Sequence, residues 1–223
     1  TGYVKNTELA VAGSYLYTTN GSRQLYKYSA LNTESREDLV LTPMKNENGE
    51  SQELNAACQL SSIAVSDEDD PAIFASGAYF GVVRNNDSTE TEEIEKWRQL
   101  HDIGNGNIID SVYSANTDRF IALIVQNFRT TIITKDGARP VQGPVITGGN
   151  PPIVMTAVDT NGADLMFTCE NGNLYTAADD TNFSTGNNGA LVQVQTVNGT
   201  EANTMTFTNV LAAGDRFIAT ASD

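Results

Sequence analysis

The segment Asp159-Thr-Asn161-Gly-Ala-Asp164 places side-chain oxygens at i, i+2 and i+5 around a glycine. Hard oxygen donors in that density suit Ca2+, although the bidentate Glu that completes an EF-hand loop twelve positions in is missing. Asp159, Asn161 and Asp164 are therefore the candidate metal ligands, and a turn stabilised by Asx side chains is the simpler reading of the same residues. Asp67-Glu-Asp-Asp70 and Asp179-Asp180 are further acidic clusters. With 1 His in the chain, His-rich metal sites and schemes needing two imidazoles are excluded.

That single imidazole, His101, lies beside Trp97, Leu100 and Asp102. No G-x-S-x-G or catalytic Cys context accompanies it, so a surface or packed histidine is expected, and no catalytic residue is assigned. Gly104-Asn-Gly106 lacks the third glycine and following helix of a phosphate loop. Cys58 and Cys169 have no CxxC partner spacing and read as two buried free thiols. N-x-S/T matches at Asn20, Asn86, Asn182 and Asn198 carry little weight in a chain so rich in Asn, Thr and Ser.

Asp plus Glu number 28 against 13 Lys plus Arg, a formal charge of −15. Such a chain repels phosphate backbones and anionic bilayers, and Arg84, Lys96 and Arg98 sit beside acids instead of forming a basic stripe. Nucleic acid and membrane are thus poor partners, and a basic protein surface is the natural one. The longest apolar runs, such as 120–125, are strand-sized, so no membrane span is expected. The start at Thr1-Gly2-Tyr3 carries neither Met nor an apolar leader core, which leaves a removed signal open.

What must position these side chains is a repeat. Five segments share one form: an apolar strand, a polar turn, a strongly apolar second strand and, in most, a third. With Tyr15, Ala72, Arg119, Asp164 and Arg216 as register marks, the spacings are 57, 47, 45 and 52. The second strands are apolar at consecutive positions, as in Phe120-Ile-Ala-Leu-Ile, which calls for burial on both faces. Outer strands are expected at 38–42, 143–147 and 191–197, the last with strict alternation. Residues 88–101 contain a capping box, Thr89 to Glu92, and a Glu92–Lys96 pair suited to a helix. The preferred reading is a short strand at 96–100 preceded by an acidic loop. The chain ends on a second strand, 217–221, and residues 2–6 are a spare strand expected to close the last sheet; further repeats in a longer protein are the alternative.

Strand-only repeats of about 40–50 residues resemble the blades of β-propellers. The expected fold is therefore all-β: one propeller domain over 1–223, five blades of three to four antiparallel strands, the last closed by the N-terminal strand. Neither a WD40 G-H…W-D signature nor a kelch Gly-Gly is present. Five-bladed propellers include glycoside hydrolases with two or three acids on the inner strands. Here strands 9–12, 62–65, 112–115, 155–158 and 207–211 contain no acid, while Asp110 and Asp159 flank two and Glu8 precedes a third. A lectin would repeat one polar and aromatic set in every blade, whereas these turns differ and the tyrosines (Tyr15, Tyr17, Tyr26, Tyr28, Tyr79, Tyr113, Tyr175) read as strand packing. The Asn-, Thr- and Gly-rich composition is similar in texture to tailed-phage tail and baseplate proteins. The resulting expectation is a non-catalytic binding or assembly module, virion or extracellular, without a cofactor, contacting proteins through rim loops that include 47–53 and 87–95. Glycan binding and glycoside hydrolysis are the alternatives.

Overall fold

The structure is a computed structural model. It describes residues 9–19, 25–29, 36–39, 44–46, 51–52, 60–77, 80–86, 96–101, 108–124, 129–135, 141–146, 153–184, 191–202 and 205–222. The chain divides into two compact units, residues 1–108 with 133–140, and residues 109–132 with 141–223.

In the first unit, β1 (Leu9–Ala12), β2 (Tyr15–Thr19), β3 (Leu25–Ser29) and β4 (Arg36–Leu39) form an antiparallel meander in chain order. A two-residue loop with Gly13 at φ 53° reverses β1 into β2. The second sheet contains β5 (Met44–Asn46), β6 (Ser51–Gln52), β7 (Leu60–Val65), β8 (Ile73–Gly77), β9 (Phe80–Arg84) and β10 (Trp97–His101), ordered β6-β5-β10-β9-β8-β7. The outer strand expected at 96–100 is thus present as β10, antiparallel to β9. The β5–β6 hairpin beyond it, joined by parallel pairing of β10 with β5, had no counterpart in the sequence reading. Ser51 and Gln52 of the presumed rim loop 47–53 belong to β6, while 47–50 and 87–95 lie outside the described residues. Tyr17 and Leu25 of the first sheet interlock with Leu60, Ile63, Ala75, Val82 and Trp97 of the second.

The second unit is built on β11 (Ile108–Ser114), β12 (Arg119–Ile124), β13 (Arg129–Thr134) and β14 (Val141–Val145), of which Ile108, Ile133 and Thr134 fall in the first unit, followed by β15 (Met155–Thr160), β16 (Asp164–Cys169), β17 (Leu174–Ala178) and β18 (Val192–Gln193). Each set forms a sheet in chain order. Between them lies a core of Ile121, Leu123, Val158, Leu165, Phe167 and Phe183. Phe183 comes from the one-turn helix α1 (Thr181–Ser184) and stacks on Phe167 at 5.6 Å. The second strands β8 and β12 are buried along almost their full length, as their unbroken apolar sequence requires.

The expected outer strand at 191–197 is instead two pieces. β18 pairs with β17, and β19 (Thr196–Val197) folds back on β20 (Thr200–Glu201). Asn198 and Gly199, with φ of 50° and 80°, make the tight Asn-Gly hairpin that overrides the alternating pattern. The final sheet is β21 (Thr206–Ala213) with β22 (Arg216–Ser222), and no further strand pairs with β22 among the described residues. Residues 1–6, expected to close that sheet, lie outside the described residues, as do Glu8 and Cys58.

Three first strands share a feature invisible to hydropathy: a one-residue register shift at Leu60/Ser62, Met155/Ala157 and Phe207/Asn209. In two of them the extra residue is a threonine facing a second one across the hairpin. Thr156 Oγ1 lies 3.0 Å from Thr168 Oγ1, and Thr208 Oγ1 lies 3.0 Å from Thr220 Oγ1. A bulge in the same place in repeat after repeat is a built element that sets strand twist. No helix among the described residues is long and apolar enough to cross a membrane.

Candidate functional site

In the first unit the acidic turn 66–71 joins β7 to β8. Ser66 shapes it: its backbone N–H donates to Ala72 O at 2.9 Å and its Oγ accepts the Ala72 N–H at 2.8 Å. Asp70 meets Arg84 Nη2 at 2.8 Å and Lys96 Nζ at 3.0 Å, while Arg84 Nη1 donates to Pro71 O at 2.9 Å. Partial burial would raise the Asp70 carboxyl, but the Lys96 hydrogen bond and the charges of Arg84 and Lys96 outweigh it and hold it below its ordinary value. Glu68 takes Lys135 Nζ at 3.2 Å and the Asn86 side-chain amide. Arg84, Lys96 and Lys135 are thus each paired with an acid of this turn.

In the second unit the turn 159–164 holds all three candidate Ca2+ ligands. Asp159 Oδ1 accepts the Thr160 N–H at 2.8 Å, and its Oδ2 accepts the Ala212 N–H of β21 at 2.7 Å. Asn161 Oδ1 accepts the N–H groups of Ala163 (3.0 Å) and Asp164 (2.8 Å), and its Nδ2 donates to Asp215 O at 3.2 Å. Asp164 contributes its backbone carbonyl, which accepts from Thr160 Oγ1 at 3.2 Å, while its side chain is exposed at the turn. Backbone amides thus occupy the side-chain oxygens of Asp159 and Asn161. Among the described residues no three of His, Cys, Asp and Glu come together as a metal cluster.

Asp110 and Asp159, expected only to flank first strands free of acids, lie within β11 and β15. These strands begin or end further out than the apolar run suggests. Asp110 is held as Asp159 is. Its Oδ1 accepts the Ser111 N–H at 2.9 Å and its Oδ2 accepts the Val158 N–H of β15 at 2.8 Å. Asp179 and Asp180 also separate in role. Asp180 Oδ1 caps α1 through the N–H groups of Asn182 (2.9 Å) and Phe183 (3.2 Å). Asp179 is only 1% exposed and ties three turns together. Ser114 Oγ donates to its Oδ1 at 2.5 Å, Thr160 Oγ1 to its Oδ2 at 2.7 Å, and the Asn116 amide to its carbonyl. Nothing in the sequence around Asp179 signals this role, because its donors lie 65 and 19 positions away.

His101 ends β10, paired with Phe80. Cys169 is buried and free, its thiol pushed up to about 12 by burial and, secondarily, by the Glu170 charge. Tyr17, Tyr26 and Tyr175 are core residues, as expected of strand tyrosines. Tyr15 lies under Lys27 Nζ, 4.2 Å from the ring centroid, and Tyr113 packs on Phe120 and bonds Asp118.

The second unit also contains a groove of about 380 Å3 between the β16–β18 face and β22. Met166, Leu174, Thr176 and Val194 form one wall, Phe217 and Ala219 of β22 the other, and Asn161, Asp164, Asp215 and Arg216 rim one end. Mixed apolar walls with a few polar groups at the mouth are what a binding cleft requires. The sequence reading missed the groove because its walls are ordinary strand residues.

No protein-family model and no curated protein sequence matches the chain. Solved structures do. The Cps50 (Swd1) β-propeller domain of Myceliophteria thermophila superposes with a TM-score of 0.63 at 12% identity, covering 100% of this chain and 64% of that one. A chain of a nidogen/laminin complex gives 0.59 at 13% identity, covering 96% of this chain and 71% of that one. YCF48 bound to a D1 peptide gives 0.60 at 10% identity, covering 96% and 60%. The chain thus spans a little under two thirds of the first and last of these. At such identities the likeness speaks for the fold alone: this is an all-β chain of the β-propeller fold.

Proposed function

We propose that the chain is a non-catalytic binding and assembly module of the propeller type, which holds protein partners and serves as a structural component of a virion, in a tail or fibre. The five repeats are taken as five blades of one domain. The observation that carries the reading is the groove between β16–β18 and β22: a cleft with apolar walls whose polar rim is built from turns tied to backbone amides. The inner-strand acids Asp110 and Asp159 accept amide hydrogens from neighbouring strands, an arrangement that favours holding over hydrolysis. The likeness to a nidogen/laminin complex and to YCF48 with its peptide supports protein partners. A charge of −15 favours a basic partner surface, drawn in by long-range attraction. No cofactor is required. The virion assignment rests on the polar, Asn-, Thr- and Gly-rich composition.

A glycan array run beside binding to basic and acidic peptide surfaces tests the reading. Salt-sensitive binding to the basic surface with a silent array is expected, and specific, saturable glycan binding would overturn it. Antibodies against the chain should decorate virus particles purified from its source; an unlabelled particle overturns the virion part.

A further inference from the structure

Three Asn-Gly pairs lie among the described residues, and the fold holds them differently. At Asn161-Gly162 both members are engaged. Asn161 Oδ1 accepts the N–H groups of Ala163 and Asp164, its Nδ2 donates to Asp215 O at 3.2 Å, and the Gly162 N–H donates to Thr160 Oγ1 at 3.1 Å. At Asn171-Gly172, Asn171 Oδ1 accepts the Asn173 N–H at 3.1 Å and the Gly172 N–H donates to Cys169 O at 2.9 Å. Gly172 is also packed so closely that a Cβ there would lie 2.9 Å from Thr206. Asn198-Gly199 is free of such ties. Both residues are exposed, and neither the Asn198 side chain nor the Gly199 N–H has a hydrogen-bond partner among the described residues. A Cβ on Gly199 would meet nothing within 4 Å.

We infer that Asn198 is a site of spontaneous deamidation, with the Gly199 backbone nitrogen as nucleophile and water as the only co-reactant, while Asn161 and Asn171 are kept as amides by their bonds. The Gly199 nitrogen gives up its proton to solvent and attacks Asn198 Cγ; the new C–N bond closes a succinimide ring and Nδ2 leaves as ammonia. Water then opens the ring at either carbonyl, to aspartate or to isoaspartate. Glycine permits the attack because no Cβ shields its nitrogen. A fixed backbone would restrain it, but the β19–β20 hairpin has only two residue pairs, Thr196 with Glu201 and Val197 with Thr200. A ribbon that short opens readily. The reaction needs no partner, so it is independent of the binding-module reading. Its product alters the groove all the same: Asn198 lines it together with Asp164, Asp215 and Arg216, and each conversion adds a negative charge there. Isoaspartate also inserts a methylene into the backbone, which a two-residue loop held at φ of 50° and 80° does not accommodate, so the hairpin opens. The charge and shape of the groove mouth thereby record the age of the molecule.

The full chain is aged at mildly alkaline pH, both folded and in urea, then digested for peptide mapping by mass spectrometry. In urea the three pairs should convert at similar rates. In the folded chain Asn198 should stay within about tenfold of its unfolded rate, while Asn161 and Asn171, whose bonds must break first, should fall about a hundredfold behind theirs. Ageing in oxygen-18 water should place the label in the product at 198, in both its aspartate and its isoaspartate forms. Asn198→Gln keeps an amide but lengthens the ring that must close, and its hairpin peptide should remain unconverted. Asn198 as slow as Asn161 in the folded chain, equal folded rates at all three pairs, or a product at 198 that is aspartate alone overturns the assignment. In the isoaspartate form, isolated chromatographically, the Val197 and Thr200 amides should lose hydrogen-exchange protection; protection that persists overturns the opening of the hairpin.

Discussion

Asp159 Oδ2 accepts the backbone N–H of Ala212 at 2.7 Å, so a carboxyl on β15 holds the first strand of the next sheet. Asp110 does the same one sheet earlier, through the Val158 N–H at 2.8 Å. Side chains cross between strands that share no ladder, and they satisfy amides that the sheets themselves leave open.

Asp159→Ala should therefore lower unfolding stability by about 1–3 kcal/mol, the usual consequence of stranding a partly buried amide. Asp159→Asn keeps one acceptor oxygen and should lose less. Urea midpoints at constant m-value give the comparison, and an unchanged midpoint for the alanine variant would remove Asp159 from the sheet contact.

Asp70 sets an acid limit. Its folded value is depressed by Lys96 and Arg84, so its contribution is complete above the unfolded value near 3.8 and fades as pH falls through the lower folded one. The stability gap between wild type and Asp70→Asn should be constant from neutral pH to about 5 and close below about 4. It should be small and shrink in high salt, because the Asp70 side chain is 58% exposed. A gap that widens on acidification contradicts the ion-pair geometry.

Cys169 should be inert while folded. A thiol at about 12 in place of 9.0 carries on the order of a thousandfold less thiolate at pH 8. In a Cys58→Ser background, disulfide reagents should label the native chain slowly and the urea-unfolded chain at once. Fast native labelling would mean that the β16 end opens freely.

The bulge hydroxyls form a testable pair. Thr168 is fully buried, so Thr156→Val strands its Oγ1 and should cost about 1–2 kcal/mol, while Thr156→Val with Thr168→Val should cost less than the two changes summed. Simple additivity in this cycle would mean the two hydroxyls do not interact.

The blade pattern was legible because short apolar runs such as Phe120-Ile-Ala-Leu-Ile recur between turn residues at repeat spacing, which calls for strands covered on both faces, and the structure buries this one. Outer strands were less so. Asn198-Gly199 turned an alternating run into a separate hairpin, since two positive-φ residues outweigh a hydropathy rhythm. The β5–β6 hairpin went unread, with Ser51 and Gln52 placed in an acidic loop, because its few residues carry little apolar signal. Acidic clusters were visible as composition, but their roles depend on partners far along the chain: Arg84 and Lys96 for Asp70, Ala212 for Asp159, Ser114 for Asp179. The groove had no sequence signature because Met166, Leu174 and Phe217 are ordinary strand residues, made a cleft only by the strand pairing beside them.

Stacked repeats usually open one at a time, since each touches only its neighbours. Asp179 works against that independence. Its carboxyl is satisfied only while Ser114 and Thr160, from two different hairpins, both remain docked. Fraying either hairpin alone would leave a buried polar group short of a donor, so the three turns should breathe together or not at all. In hydrogen exchange they would form one cooperative block spanning two sheets, a concerted unit inside a modular protein.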